Sequence, residues 1–228
     1  MDFVGIDQFS LLDFDGYVSV VLFAPTCNFR CPFCHNGESV LASKNRIPFA
    51  DILNYVRSRQ GIIDAVVISG GEPTLMDDLK DKIIALRALG LKIKLDSNGS
   101  HPEVLQDLLD NNLIDYIAMD IKNSPSLYPL TIGTNEAPIE DITRSIKLIM
   151  ESGIDYEFRT TLVEEFHSPT SIQEMGEFIR GAKRLFLQKF VDRDGVIRRG
   201  LHPVSLKKAQ EYQKTLSSQV KKCELRGY

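Results

Sequence analysis

Apolar, β-branched runs alternate along this chain with segments whose apolar positions recur at helical spacing. Tyr17–Ala24 (YVSVVLFA) predicts a first buried strand. Pro48–Arg59 predicts a helix, and Ala65–Ser69 (AVVIS) a strand running into two glycines. Asp77–Leu89 predicts a helix closed by Gly90. Lys92–Leu95 predicts a short strand, and Pro102–Asn111 a helix with proline in its first turn. Tyr116–Met119 is read as a strand, Ile139–Ser152 as a helix ended by Gly153, and Phe158–Val163 as a strand. Thr170–Gly181 is read as a helix capped by its threonine, Leu185–Phe190 as a strand, and Ser205–Val220 as a final amphipathic helix.

Six strand-then-helix units at a spacing of about 30 residues imply a parallel sheet with helices packed outside. A complete eight-unit barrel typically takes ~250 residues. Six units suit a chain of 228 residues better, so the expected fold is α/β, a partial (β/α)6 TIM-like barrel. No linker rich in Gly, Ser or Pro divides it. One domain is expected over residues 1–228, with a core at about 15–190 and a C-terminal helix at 205–220. On parallel sheets the loops after strand C-termini carry the chemistry. The polar motifs fall there: Cys27–Cys34, Gly70–Pro73, Asp96–Gly99 and Asp120–Lys122.

Charge and composition narrow the function. The balance of 27 basic against 31 acidic residues leaves no electrostatic footprint for nucleic acid or an anionic membrane. Met1–Ser10 lacks the basic start and apolar core of a signal peptide. No stretch approaches the ~18 apolar residues of a membrane span. A cytoplasmic protein is expected, with reduced thiols. Clustered cysteines in that setting point to metal or redox chemistry rather than disulfides.

Three of the four cysteines lie in Thr26–Asn36 (TCNFRCPFCHN), spaced C-x3-C-x2-C as Cys27, Cys31 and Cys34. Three thiolates on one tight loop can grip three corners of a cubane iron–sulfur cluster, whereas electron-transfer clusters use four cysteines. The other cysteine, Cys223, is far downstream. If it is no ligand, one iron stays open to a substrate, which favours catalysis over electron storage. Two alternatives stand beside this reading: a four-cysteine cluster completed by Cys223, and a zinc site with His35 as fourth ligand. Structural zinc sites usually join two distant ligand pairs, and no second pair exists here.

The other motifs have chemistry of their own. In Ser69-Gly70-Gly71-Glu72-Pro73, two glycines let the backbone approach a ligand closely, or make a tight turn. Asp96-Ser97-Asn98-Gly99 suits an Asn-Gly turn. In Ala118-Met119-Asp120-Ile121-Lys122, Asp120 and Lys122 share one face of a strand and suit an ion pair. Arg159 stands in an otherwise apolar run and needs an anion: a ligand, or an internal carboxylate such as Glu157 or Glu72. His101, His167 and His202 are isolated and are expected at the surface or at caps. Asp192–Arg199 and Lys207–Lys222 read as solvated faces, with Arg193, Arg198 and Arg199 alternatively near a docking surface.

The cysteine spacing after a first strand resembles the signature of the radical S-adenosylmethionine superfamily. Cys34-His35-Asn36 resembles the C-H-N ending common in activating enzymes of glycyl-radical proteins. Gln8–Gly16 (QFSLLDFDG) resembles the start of the activating proteins of anaerobic ribonucleotide reductase. The likeness runs from about residue 5 to 190 and departs at Pro25-Thr26, where many activases have Gly-Cys. It implies a [4Fe-4S] cluster on Cys27, Cys31 and Cys34, and S-adenosylmethionine bound by its amino and carboxylate groups at the open iron.

By the same likeness, Ser69, Gly70, Gly71 and Glu72 lie at the cofactor's amino group, largely through backbone carbonyls. Lys122 holds its carboxylate. Asp96, Asn98 and Asp120 lie near the cofactor, with a monovalent cation placed beside Asp96 and Asp120. Arg159 faces the cofactor carboxylate or ribose. Phe33 lies against the adenine or packs the loop; His35 contacts the adenine or orders the loop by a hydrogen bond.

The implied activity is reductive cleavage of S-adenosylmethionine to a 5′-deoxyadenosyl radical that abstracts hydrogen from a glycine of a glycyl-radical enzyme, with flavodoxin or ferredoxin as electron donor. Thirty-five residues lie between Cys34 and Gly70, too few for a second cluster domain there, and an open barrel mouth suits a protruding glycine loop. A compact radical enzyme of the 7-carboxy-7-deazaguanine synthase type is the rival. A non-catalytic zinc or iron–sulfur module is the third class.

Overall fold

The computed structural model describes residues 1–37 and 45–228. The six predicted strands form β2 (Ser19–Ala24), β3 (Ala65–Gly70), β4 (Lys92–Ser97), β5 (Tyr116–Asp120), β6 (Asp155–Leu162) and β7 (Leu185–Lys189). They pair in chain order, all parallel. Helices follow them: α1 (Phe49–Ser58), α2 (Leu79–Arg87), α3 (Pro102–Asp110), the short α4 (Tyr128–Ile132), α5 (Ile139–Glu151), α6 (Pro169–Phe178) and α7 (Leu206–Leu216). The expected parallel α/β architecture is the observed one.

Two further strands flank the six. β1 (Gly5–Ser10) pairs antiparallel with β2, and β8 (Cys223–Arg226) pairs parallel with β7. The eight strands run β1 to β8 in order, and no ladder joins β1 to β8 among the described residues. The barrel is therefore open. Neither edge strand was predicted, because each pairs on one side only and carries polar residues. GIDQFS has three exposed positions, and CELR is four residues long.

Side-chain alternation divides the sheet into two faces. Val66, Ile68, Ile93, Leu95, Ile117, Met119 and Phe158 point outward and are fully buried against the helices. Helix residues at matching spacing meet them, such as Ile52 and Val56 on α1 and Ile142, Ile146 and Ile149 on α5. Each such side chain contributes roughly 1.5–3 kcal/mol by leaving water.

The inner face is different. Phe14, Val21, Ala65 and Val67 form a small apolar floor. The Phe14 ring packs at a tilt against Tyr17 at 4.7 Å and Tyr116 at 5.5 Å, and Lys94 Nζ donates to the Asp13 carbonyl at 2.6 Å. The segment before β2 thus plugs the strand N-termini and leaves polar side chains at their C-termini.

One predicted cap moves. Ser168, not Thr170, caps α6, its hydroxyl accepting from Ser171 N at 3.2 Å in a reciprocal capping box. Pro169 at the first helical position forces Ser168 into the extended backbone that an N-cap needs. No described helix is long and apolar enough to cross a membrane.

Candidate cofactor site

The cysteine loop leaves β2 and lies across the C-terminal rim of the sheet. Asn28 bonds Ser100 and Asn98, each at 2.9 Å, in the loop after β4. Arg30 N donates to Ile132 O at 2.8 Å at the end of α4. The Phe33 ring meets Phe166, beyond β6, at 5.8 Å. His35 Nε2 lies 2.9 Å from Val191 O and its ring stacks on Phe190 at 5.7 Å, beyond β7. The loop roofs the barrel by touching the loops of four strands in turn.

The glycine pair is explained by this roof. Gly71 N donates to Ala24 O at 3.1 Å, and Glu72 N to Thr26 O at 2.6 Å. At Gly70 the backbone has φ +101, and a Cβ would come to 2.5 Å from Ala24 N. At Gly71 a Cβ would overlap the Thr26 carbonyl. The Gly70 carbonyl accepts from Asn36 Nδ2 at 3.0 Å. Only glycine lets the β3 loop press this close to the start of the cysteine loop.

Glu72 is 1% exposed and its carboxylate is satisfied by protein donors. Oε1 accepts from Thr74 N at 3.2 Å, Thr74 Oγ1 at 2.6 Å and Ser97 Oγ at 2.9 Å; Oε2 accepts from Asn98 N at 2.6 Å. Burial raises its pKa, and these bonds oppose that rise. The side chain ties the β3 loop to the β4 loop.

A charged network crosses the inner face below. Arg159 on β6 donates from Nε to Asp120 Oδ1 at 2.9 Å and lies 3.2 Å from Asp96 Oδ2. Lys122 Nζ bonds Asp120 Oδ2 at 2.9 Å, and Ser69 Oγ bonds Asp96 Oδ2 at 2.8 Å. Burial would push Asp120 up, but Arg159 and Lys122 hold it at about 2. The same acids keep Lys122 and Arg159 firmly protonated despite burial. Arg159 thus meets internal carboxylates, Asp120 and Asp96 rather than Glu157 or Glu72. Asp96 Oδ1 is buried without a hydrogen-bond partner.

Roof and network enclose a cavity of about 360 Å³. Cys27, Cys31 and Cys34 border it, with Phe33 and His35 from the roof. Ser69, Gly70, Gly71 and Glu72 line it from the β3 loop, and Asp96, Asn98, Asp120, Lys122 and Arg159 from the sheet. Burial raises Cys27, and it pushes Cys31 up to about 12, with Lys122 drawing it down and Cys34 and Cys27 adding to the rise. Such thiols favour deprotonation only when a positively charged centre meets them. No three His, Cys, Asp or Glu side chains among the described residues close on a single metal ion. A cubane spreads its ligands over separate irons and does not need that convergence. The thiol set and the orphaned Asp96 oxygen both fit a cluster with a polar organic cofactor beside it.

Cys223 lies elsewhere. It opposes Leu185 at the N-terminal end of β7, whereas the cysteine loop follows the C-terminal end of β2. It is buried. His167 also departs from expectation. It is 2% exposed, its Nδ1 is 3.1 Å from the Val163 backbone and its Nε2 is 3.1 Å from Lys122 O. Burial lowers its pKa, so it stays a neutral strut behind Lys122. His202 pairs with Glu165 at the surface, as expected, and His101 faces the Thr74 and Ser100 hydroxyls.

Asp13, Thr161, Gln188, Arg193 and Ile197 also line the cavity. Thr161 shares a strand face with Arg159 and was legible by alternation. Asp13, Arg193 and Ile197 come from distant loops that no local pattern connects.

Residues 21–168 match the family model described as the Radical SAM superfamily. A Methanocaldococcus jannaschii protein provisionally named a glycyl-radical enzyme activating enzyme is 33% identical over 194 residues, 83% of this chain and 80% of its own. A 7-carboxy-7-deazaguanine synthase of Rhodospirillum rubrum is 34% identical over 88 residues, 38% of this chain and 36% of its own. The fold is similar to the crystal structure of Streptococcus suis SuiB, with a TM-score of 0.68 at 18% identity over 91% of this chain. This chain spans 49% of that one. With a family model reaching from β2 to the start of α6, and a relative this similar over most of both lengths, the chain belongs to the radical S-adenosylmethionine superfamily.

Proposed function

We propose that this protein activates a glycyl-radical enzyme, of the anaerobic ribonucleotide reductase type, by removing a hydrogen atom from a glycine of that partner. The observation that carries this reading is the three-cysteine roof over a polar cavity, on a chain 33% identical to the M. jannaschii protein. Cys27, Cys31 and Cys34 would hold a [4Fe-4S] cluster with one iron left open. Such a cluster would supply the one-electron chemistry that cleaves a bound S-adenosylmethionine.

The chain's own residues position and insulate. Lys122, kept cationic by Asp120, offers its ammonium to the cofactor carboxylate. Asp96 offers its unpartnered Oδ1 to a hydroxyl or amino group, or, with Asp120, to a monovalent cation. Asn98 and Glu72 fix the β4 and β3 loops against each other, so that the Ser69, Gly70 and Gly71 backbone keeps its place beside the open iron. In this reading Glu72 acts through loop position rather than by contact. Phe33 and His35, packed on Phe166 and Phe190, hold the roof closed against water.

Anaerobic reconstitution with iron and sulfide tests the first half. The protein gains cluster absorption, and with dithionite and S-adenosylmethionine it forms 5′-deoxyadenosine. A protein that binds zinc and gains no cluster absorption overturns it. A glycyl-radical doublet in electron spin resonance, after incubation with a candidate partner, tests the second half.

The similarity to a 7-carboxy-7-deazaguanine synthase supports a second reading, a small-molecule substrate. Formation of 7-carboxy-7-deazaguanine, with no glycyl radical on any partner, would favour it.

A further inference from the structure

We infer that the outer surface of the cysteine roof is the docking face for an acidic electron-carrier protein. The inference rests on the function proposed above, which needs one electron delivered to the cluster.

Three exposed arginines lie at the roof. Arg30 lies within it; among the described residues its guanidinium donates to the Cys27 and Phe29 carbonyls, at 2.5 and 2.7 Å. Arg198 is fixed to the roof by its backbone, which donates to Pro32 O at 2.8 Å. Arg193 stands at the cavity rim. Among the described residues, none of the three guanidiniums pairs with a carboxylate. In residues 192–199, which follow β7, Arg199 binds Asp192 at 3.0 Å and Asp194 at 2.9 Å, which leaves Arg193 and Arg198 without a carboxylate there.

These three arginines sit on a chain whose net charge is −4. An acidic carrier is repelled by the molecule as a whole and drawn to this face, so the patch fixes orientation as well as attraction. The buried Cys31 and half-buried Cys34 lie in the same roof, which brings the carrier's redox centre to the cluster side of the fold. Electron-transfer encounters use small, charge-steered interfaces of this kind. In the step itself the reduced carrier loses one electron and the cluster gains it, with no bond made or broken.

The test uses the reconstituted protein with flavodoxin as the acidic probe. Binding of oxidised flavodoxin is measured by calorimetry at low and high salt, for the wild type, Arg198→Glu and Arg198→Lys. Among the described residues the Arg198 guanidinium makes no hydrogen bond or ion pair, so its reversal leaves the fold and dithionite-driven 5′-deoxyadenosine formation unchanged. Expected is an affinity that falls with salt, falls about tenfold further in Arg198→Glu, and returns in Arg198→Lys. The flavodoxin-driven rate of 5′-deoxyadenosine formation follows the same order. Salt-independent binding, or Arg198→Glu equal to wild type at low salt, overturns the docking face. Absence of dithionite-driven product in the wild type instead overturns the proposed function.

Discussion

Gly71 meets Thr26 with no room between them, because its N–H and that of Glu72 bond the backbone on either side of Pro25. The contact couples the β3 loop to the first turn of the cysteine roof. Gly71→Ala must push backbone against backbone, which a flexible side chain could relieve but a carbonyl cannot. The expected loss is roughly 3 kcal/mol in urea unfolding, together with slower cluster reconstitution. A variant as stable as the wild type would show that the two loops part readily.

The four cysteines divide by position. Replacing Cys27, Cys31 or Cys34 by Ala abolishes the cluster absorption gained on anaerobic reconstitution. Cys223→Ala keeps it, because Cys223 is at the other end of the sheet, and costs roughly 1 kcal/mol for a lost buried sulfur. Loss of the cluster in Cys223→Ala would mean that this thiol reaches the roof by a rearrangement.

Arg159 bridges two acids that nothing else on β6 can neutralise. Arg159→Met leaves Asp120 and Asp96 half-compensated and destabilises by about 3 kcal/mol. Arg159→Lys recovers part of this, since an ammonium cannot span both carboxylates as the guanidinium does. In thermal unfolding, S-adenosylmethionine should raise the midpoint less in Arg159→Met than in the wild type.

Asp120 gives the network a pH signature. Its native pKa is held at about 2, below the ordinary 3.8, so folding favours the ionised form. That stability is fully present above the unfolded value and is lost as pH falls from 3.8 toward about 2. Urea midpoints measured across this window should drop less steeply for Asp120→Asn, which has no such proton to take up. An equal acid slope in both would place the titration elsewhere.

Glu72→Gln separates position from contact. The amide would turn a donor toward Thr74 or Asn98, which themselves donate to Glu72. The expected cost is roughly 2 kcal/mol, with weaker S-adenosylmethionine binding measured by calorimetry. Unchanged stability would mean that Glu72 is not the strut between the two loops.

How much of this was legible follows from the range of each interaction. The six parallel strands were readable because buried strands announce themselves by local apolar runs, as AVVIS does before Gly70. The cysteine loop was readable because its three thiols lie on one short segment, and their spacing is itself the chemistry. Asp96, Asp120, Lys122 and Arg159 stood out as polar residues at strand ends. Alternation made the Asp120–Lys122 pair visible, but not the acids that Arg159 meets. Arg159 chooses Asp120 because the β5–β6 register sets them side by side, and register is a property of two strands together. Edge strands β1 and β8, the neutral strut His167 and the clasp of residues 190–200 on the roof lay beyond local pattern for the same reason. Each exists only where segments distant in the chain close on one another, so periodicity and motif determined the elements and the thiol set, while tertiary packing decided which charges meet and what covers the cavity.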